Sequence, residues 1–324
     1  MTDTAGAPAE GGPYSHDLLV VWAWEFDADY VGLLKRACEA RGLSILLAGA
    51  EALKGLPALL DSGALRPRAI IDRVWDWGDE YALHVPAVER AAPLNPNPYP
   101  LVKRAWNKPT MHYELIAHGL RAPHMVILPS YQADPDLKLF DPRLLAGLDP
   151  TYSVKGAHSG GSGVLKAVTQ ISDALRLRKD WPDDETLLQS WVEPQLMDGR
   201  RAWWRVFHAC GRAFACWADD RTHRQTPVTP EEMTRLGLDP LLSITEQIAG
   251  ICGLNVFSTE IARDTRGVWL VVDYVNEPCD FRLQSKVVNG VPDAIVAQIA
   301  DTVATWLARR TSRSRAETAP PPPR

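Results

Sequence analysis

Prolines at positions 93, 96, 98 and 100 cut this chain in two. Each removes a backbone donor and fixes its own φ, so neither a continuous helix nor a central strand can pass through PLNPNPYP. The two sides of that break follow different patterns. Before it, strand-length apolar runs alternate with helical spacing. Leu18–Trp24, Ser44–Ala48 and Ala69–Val74 read as strands, whereas Asp29–Ala40, Ala50–Leu60 and Gly78–Glu89 read as helices. Such alternation predicts an open, mostly parallel α/β sheet over residues 16–94.

After the break the pattern turns to hairpins. Lys108–Gly119 has helical spacing with Pro109 in its first turn. Val126–Leu128, Glu185–Val192, Arg201–Ala209 and Arg212–Trp217 read as strands, and the last two meet at a tight turn, Cys210-Gly211. Tyr152–Lys155 and Val164–Ala167 flank a glycine-rich stretch as a predicted hairpin. Leu241–Cys252 is a helix stopped by Gly253. Val256–Arg263 and Val268–Val275 form a hairpin around Asp264–Gly267, and Asp293–Ala308 is the last helix. These elements predict a second, α+β domain over 95–309. Residues 1–15 and 310–324 hold few large apolar side chains, and the chain closes on AETAPPPPR, so both ends are expected to be disordered.

Composition narrows the function classes. A net charge of −5 with no basic stripe argues against nucleic acid. No apolar run approaches the roughly 20 residues needed to span a bilayer. The first residues lack the charged start and apolar core of a secretion signal, so a cytoplasmic protein with reduced thiols is expected. The five cysteines form no CxxC pair or metal-site spacing and read as packing residues, with Cys279 noted for its closeness to Asn276.

Five segments carry candidate chemistry. The first is SVKGAHSGGSGV, residues 153–164. It is neither GxxxxGK[ST] nor GxGxxG, which leaves a strand–loop–strand flap. Ser159, Gly160, Gly161 and Gly163 would let backbone N–H groups approach phosphate oxygens, and Lys155 would neutralise their charge; a plain hairpin with a surface lysine is the alternative. The second is the pair of strands bearing Glu260, Asp273 and Asn276, hard oxygen donors of the kind Mg²⁺ takes together with phosphates. A lone carboxylate in VWLVVDYV would be costly, which argues against Asp273 being incidental. The third is LLQSWVE, whose Gln189, Trp191 and Val192 suit a hinge for a base edge, with Glu193 reaching a ribose; a core strand running to the surface is the alternative. The fourth is an arginine set, Arg201, Arg205, Arg221 and Arg224; Arg205, inside the apolar AWWRVF, needs an anionic partner. The fifth, around Lys108, has little specificity by pattern alone. Arg73, at a strand end, and Arg282, after the acid-bearing strand, are further candidates for substrate contact, with structural ion pairs as the alternative.

Taken in order, these segments resemble the ATP-grasp superfamily. Asn107-Lys108 through Gly119-Leu120 and Pro123 is similar to its opening lysine segment, and Ser153 to Val164 to its flap. Leu188–Val192 is similar to its hinge, Trp204-Arg205-Val206 to its arginine strand, and Thr259-Glu260-Ile261 through Asp273 and Asn276 to its metal strands. The likeness spans about residues 95–305. It implies an ATP-grasp fold after a preceding α/β domain, with ATP and Mg²⁺ as cofactors. It also implies a ligase that joins a small-molecule carboxylate to an amine through an acyl phosphate. Lys108 and Lys155 would hold phosphates, Glu260, Asp273 and Asn276 the metal, and Arg205 would stabilise charge on the acyl phosphate or its oxyanion. A small-molecule kinase and a non-catalytic ATP-binding module are the alternatives. Oligomeric state is not read from the residues; dimers are common among the proteins it resembles. Three departures stand out: Ser190 and Glu260 replace the usual Glu and Asp, and Asp273 and Asn276 are three apart where the family has two. Residues three apart point to opposite faces of a regular strand, so a β-bulge is required, or Glu277 replaces Asn276.

Overall fold

The computed structural model describes residues 14–76, 83–91, 93–158 and 164–317, with side chains to residue 311. Among these residues the chain divides into two compact units, 1–96 with 297–324, and 97–296. The division falls inside the proline run.

In the first unit, β1 (His16–Val21) lies between β2 (Ile45–Ala48) and β3 (Pro67–Asp72), all parallel, with Leu18 opposite both Ile45 and Ala69. Leu18, Leu19, Val20 and Val21 are fully buried, as a strand covered on both faces requires. Helices Ala28–Glu39, Leu56–Asp61 and Val85–Ala91 belong to this unit. The open parallel sheet expected over 16–94 is thus present; of the Gly78–Glu89 helix, residues 78–82 lie outside the described residues. At the amino end, Tyr14 and Ser15 are held in place, which corrects the expectation of disorder to residue 15. The Ser15 amide donates to Arg66 O at 2.9 Å, and the Tyr14 ring lies 4.4 Å from the Arg68 guanidinium. Residues 1–13 lie outside the described residues. The last helix, Asp293–Glu317, runs past the expected end at 308 because no proline or glycine interrupts it before Pro320. From Ala297 it groups with the first unit, not the second: Ile299, Val303 and Leu307 are buried, and Arg41 donates to Asp301 at 2.7 Å. Residues 318–324 lie outside the described residues.

The second unit opens with helix Tyr99–Trp106, which starts within the proline run and which the sequence pattern does not predict. Pro100 sits in its first turn, where its missing N–H has no partner to lose. Helix Lys108–Ala117 follows, capped by Asn107, whose side chain accepts from Thr110 N at 2.8 Å. One antiparallel sheet has the order β4 (Met125–Leu128), β7 (Thr186–Ser190), β5 (Tyr152–Gly156), β6 (Leu165–Val168), with helix Ile171–Asp180, also unforeseen, against it. A two-residue pair, β8 (Leu196–Met197) and β9 (Arg200–Arg201), leads to a five-stranded antiparallel sheet. Its order is β12 (Gln225–Pro227), β11 (Arg212–Ala218), β10 (Trp203–Ala209), β13 (Val256–Arg263), β14 (Trp269–Asn276). Trp204 is fully buried, 4.8 Å from the Trp217 ring and 5.1 Å from Trp269, so these tryptophans are core. Among the described residues no disulfide joins the cysteines. Among the described residues no helix is long and apolar enough to cross a membrane.

Candidate functional site

A cavity of about 540 Å³ lies within the second unit. Four segments that sequence reasoning singled out supply its walls. β5 brings Lys155, the end of β7 and the next residues bring Gln189, Trp191 and Val192, β10 brings Arg205, and the β13–β14 hairpin brings Glu260, Asp273 and Asn276. Lys108 joins them from the first turn of its helix, whose amide donates to Ala157 O, just beyond β5, at 3.3 Å.

The β13–β14 register explains the Asp273–Asn276 spacing. Ser258 pairs with Asn276, Glu260 with Asp273, and Ile261 with Val271. Two residues on β13 therefore face three on β14, and then one faces two. These are β-bulges, and they bring Asp273 and Asn276 to the same cavity although they are three apart. Glu277 is turned elsewhere and accepts from Asn97 Nδ2 at 3.1 Å. Asn276, and not Glu277, lines the cavity.

Asp273 sits among cations. Burial opposes its charge, but Lys155 and Lys108, with Arg205 and an Asn276 hydrogen bond behind them, hold its carboxyl below the usual carboxylate range. Lys155 is 6% exposed, and burial pulls its pKa down against the attraction of Asp273 and Glu260. Its Nζ reaches Val272 O at 3.4 Å. A buried ammonium held so weakly gains from any anion that enters beside it. Arg205 pairs with Glu260 through Nη2 and contacts Ser258 Oγ at 3.4 Å. Burial works against its charge, yet the Glu260 carboxylate leaves its pKa raised. The other Glu260 oxygen accepts from the Trp203 indole at 3.1 Å.

Three expected site residues lie elsewhere. Glu193 is not in the cavity wall: it is turned to Arg201 at 2.6 Å, and Arg201 also grips Asp220 at 2.7 and 2.9 Å. Arg221 is exposed in a turn whose amides donate to Asp219. Arg73, in the first unit, is buried in a two-bond pair with Asp27 at 2.9 and 2.6 Å. Arg282 does line the cavity, paired with Asp280 at 2.6 Å. Ser159, Gly160, Gly161 and Gly163 lie outside the described residues. Sequence reasoning passed over Trp203, Lys166, Asp280 and Asn289, which also line the cavity. Trp203 was recoverable, since it is two residues from Arg205 on one strand and so shares its face. Asp280 and Asn289 come from a loop with no periodic signal. That loop depends on Gly290, where a Cβ would meet Arg282 O at 2.6 Å.

Among the described residues no three His, Cys, Asp or Glu side chains form a metal-binding group. Two carboxylates and an amide are nevertheless the hard-oxygen donors that suit Mg²⁺ when a ligand supplies the rest.

No protein-family profile and no curated protein matches the chain. Solved structures do. The D-cycloserine synthetase DcsG aligns over 90% of this chain and 99% of its own, at 17% identity and a TM-score of 0.58. A RimK-domain ATP-grasp protein from Sphaerobacter thermophilus DSM 20745 aligns over 89% and 99%, at 16% identity and 0.60. A D-alanine–D-alanine ligase from Bacillus anthracis, solved with ATP, aligns over 94% and 100%, at 11% identity and 0.62. The chain has the ATP-grasp fold, as its motifs implied.

Proposed function

We propose that this chain is an ATP-dependent ligase that joins a small carboxylate to an amine through an acyl phosphate. The observation that carries this reading is the buried Lys155 facing the ionised Asp273 across one cavity, with Arg205 on the same wall. The structural neighbours, a D-cycloserine synthetase and a D-alanine–D-alanine ligase among them, support it by analogy.

The residues divide the work as follows. Gln189, Trp191 and Val192 receive the base edge at the end of β7. Lys108 and Lys155 hold phosphate oxygens, which replace the weak Val272 contact of Lys155. Glu260, Asp273 and Asn276 would hold Mg²⁺, whose charge offsets that of the phosphates when it is bound. The substrate carboxylate oxygen attacks the γ-phosphorus, ADP leaves, and the amine then displaces phosphate from the acyl phosphate. Arg205 lies where it can stabilise charge on the acyl phosphate and on the tetrahedral oxyanion. For this it shifts from Glu260, which Trp203 continues to hold.

The kinase alternative would place a second polyanion beside ATP, and the cavity wall offers no excess of cations for one, since it sets Asp219, Asp220, Glu260, Asp273 and Asp280 against Lys108, Lys155, Lys166, Arg205 and Arg282. The non-catalytic alternative rested on the Asp273–Asn276 spacing, and the bulges remove that support. Calorimetric titration of ATP with and without Mg²⁺ tests the nucleotide site; Mg²⁺-dependent micromolar binding is expected. Hydroxylamine trapping tests the chemistry: an acyl phosphate gives a hydroxamate, and a phosphorylated alcohol gives none.

A further inference from the structure

Past Arg205 the cavity wall holds a side chain that the ligase chemistry does not use. Arg205 pairs with Cys216 of β11, and Ala218, two residues further along β11, pairs with Gln225 of β12. Residues two apart share a face of a strand, so Gln225 stands on the same face of the sheet as Arg205. Two strands across and two residues along put their Cα atoms roughly 12 Å apart. Ala218 and Gln225 both line the cavity, and the small Ala218 leaves room between the two longer side chains.

Gln225 is 7% exposed, and its Oε1 is buried with no hydrogen-bond partner among the described residues. An unpaired amide is costly to bury, and an apolar side chain of that length would avoid the cost. The fold does not draw on the amide. The contact that ties β12 to the loop bearing Arg282 and Asn289 is made by the backbone, where Gln225 O accepts from Gln284 Nε2 at 2.7 Å.

The charges at this end of the cavity are answered within the protein. The Asp219 carboxylate accepts from the amides of Arg221 and Thr222, each at 2.8 Å. Asp220 is gripped by Arg201, Asp280 pairs with Arg282, and Lys166 Nζ donates to Asp220 O at 2.9 Å. The Gln225 amide is neutral and uncommitted, and it offers an acceptor and a donor side by side. The ligand group that satisfies both is another amide, whose N–H meets Oε1 while its carbonyl accepts from Nε2.

We propose that Gln225 is a specificity residue of the ligase, and that it reads an amide group carried near the carboxylate of the acid substrate. This rests on the ligase reading above and narrows its acid to one bearing such an amide. A methylene in place of the amide N–H would leave Oε1 buried and unpaired, as it is without ligand.

The test is ligand-observed NMR titration of the full chain, saturated with Mg²⁺ and the ATP analogue AMPPNP, with N-acetylglycine and with 4-oxopentanoate. The second acid replaces the amide N–H of the first by CH₂ and is otherwise the same shape. Wild-type protein is expected to bind N-acetylglycine about tenfold more tightly. Gln225→Met keeps the length of the side chain and removes both polar atoms, so the ratio should fall to about twofold or less, with Mg-AMPPNP affinity unchanged. A thermal melt separates this role from a structural one. With Oε1 unpaired, Gln225→Met should melt at the wild-type temperature or above, whereas loss of an amide that the fold relies on would lower it by roughly 2–4 °C. A wild type that holds Mg-AMPPNP but binds neither acid or both equally overturns the proposal and leaves the ligase reading intact, as does a variant that keeps the ratio or melts lower. A wild type that does not hold Mg-AMPPNP ends both.

Discussion

Each unit of this molecule buries an arginine against a carboxylate, and the two pairs are built differently. In the first unit, Arg73 meets both oxygens of Asp27, the side chains are 5% and 2% exposed, and the guanidinium lies 5.0 Å from the Tyr30 ring. In the second, Arg205 touches one oxygen of Glu260, the side chains are 20% and 19% exposed, and both line the cavity. The first pair is closed, since each partner fulfils the other. The second is open, because Glu260 divides itself between Arg205 and Trp203 and the guanidinium keeps a face toward incoming ligand. An arginine in an apolar strand needs an anion, but the sequence does not say whether the protein supplies all of it. Arg205 was a candidate because it lies in an apolar strand, and Arg73 because it stands at a strand end.

Breaking each pair should separate the roles. Arg73→Ala leaves Asp27 buried without its partner and should cost about 3–5 kcal/mol in a denaturant titration; a loss below about 1 kcal/mol would mean the pair is not the closed structural element described. Arg205→Ala should lower hydroxamate formation by about 100- to 1000-fold while ATP affinity stays within about threefold. If ATP binding fell as steeply as turnover, Arg205 would belong to nucleotide binding instead.

Acid titration sharpens the comparison, because His112 is buried against a hydroxyl, whereas His84 of the first unit pairs with the Asp72 carboxylate at 2.7 Å. The His112 pKa is lower folded, about 4, than unfolded, near 6.5, so the unfolded chain binds more protons between those values. Its contribution is complete above about pH 6.5 and is lost as pH falls toward 4, on the order of 3 kcal/mol. His112→Leu should flatten that part of the stability–pH curve; an unchanged slope would assign the acid sensitivity to other groups. The smallest effect is expected at Asp273. Asp273→Ala should weaken Mg-ATP binding about tenfold and erase its Mg²⁺ dependence, a loss set by one metal donor among several. Retained dependence in calorimetry would shift the metal role away from β14.

Much of this was legible beforehand where a local rule sufficed. The parallel sheet of the first unit followed from alternation, and the β13–β14 hairpin followed from two apolar runs around a turn. Arg205 and Asp273 were conspicuous because a charge in an apolar strand has to be answered by something, and Lys155 because it stands beside a glycine-rich loop. Helix Tyr99–Trp106 was missed because four prolines outweighed the helical residues behind them, although Pro100 opens that helix. Glu193 was misplaced because its distance along the chain from the hinge was right while its partner, Arg201, was invisible.

By itself, the sequence determined the order of elements, the break at the prolines and the residue types that handle phosphate and metal, because periodicity, backbone donors and the cost of burying charge all act locally. Tertiary structure alone decided which arginine faces the cavity, and that Asn276 and not Glu277 stands beside Asp273. Those outcomes turn on strand register and on partners as distant in sequence as Asn97 and Glu277. A single extra residue in a β ladder changes which side chains share a face, and only the paired strand reveals that it is extra.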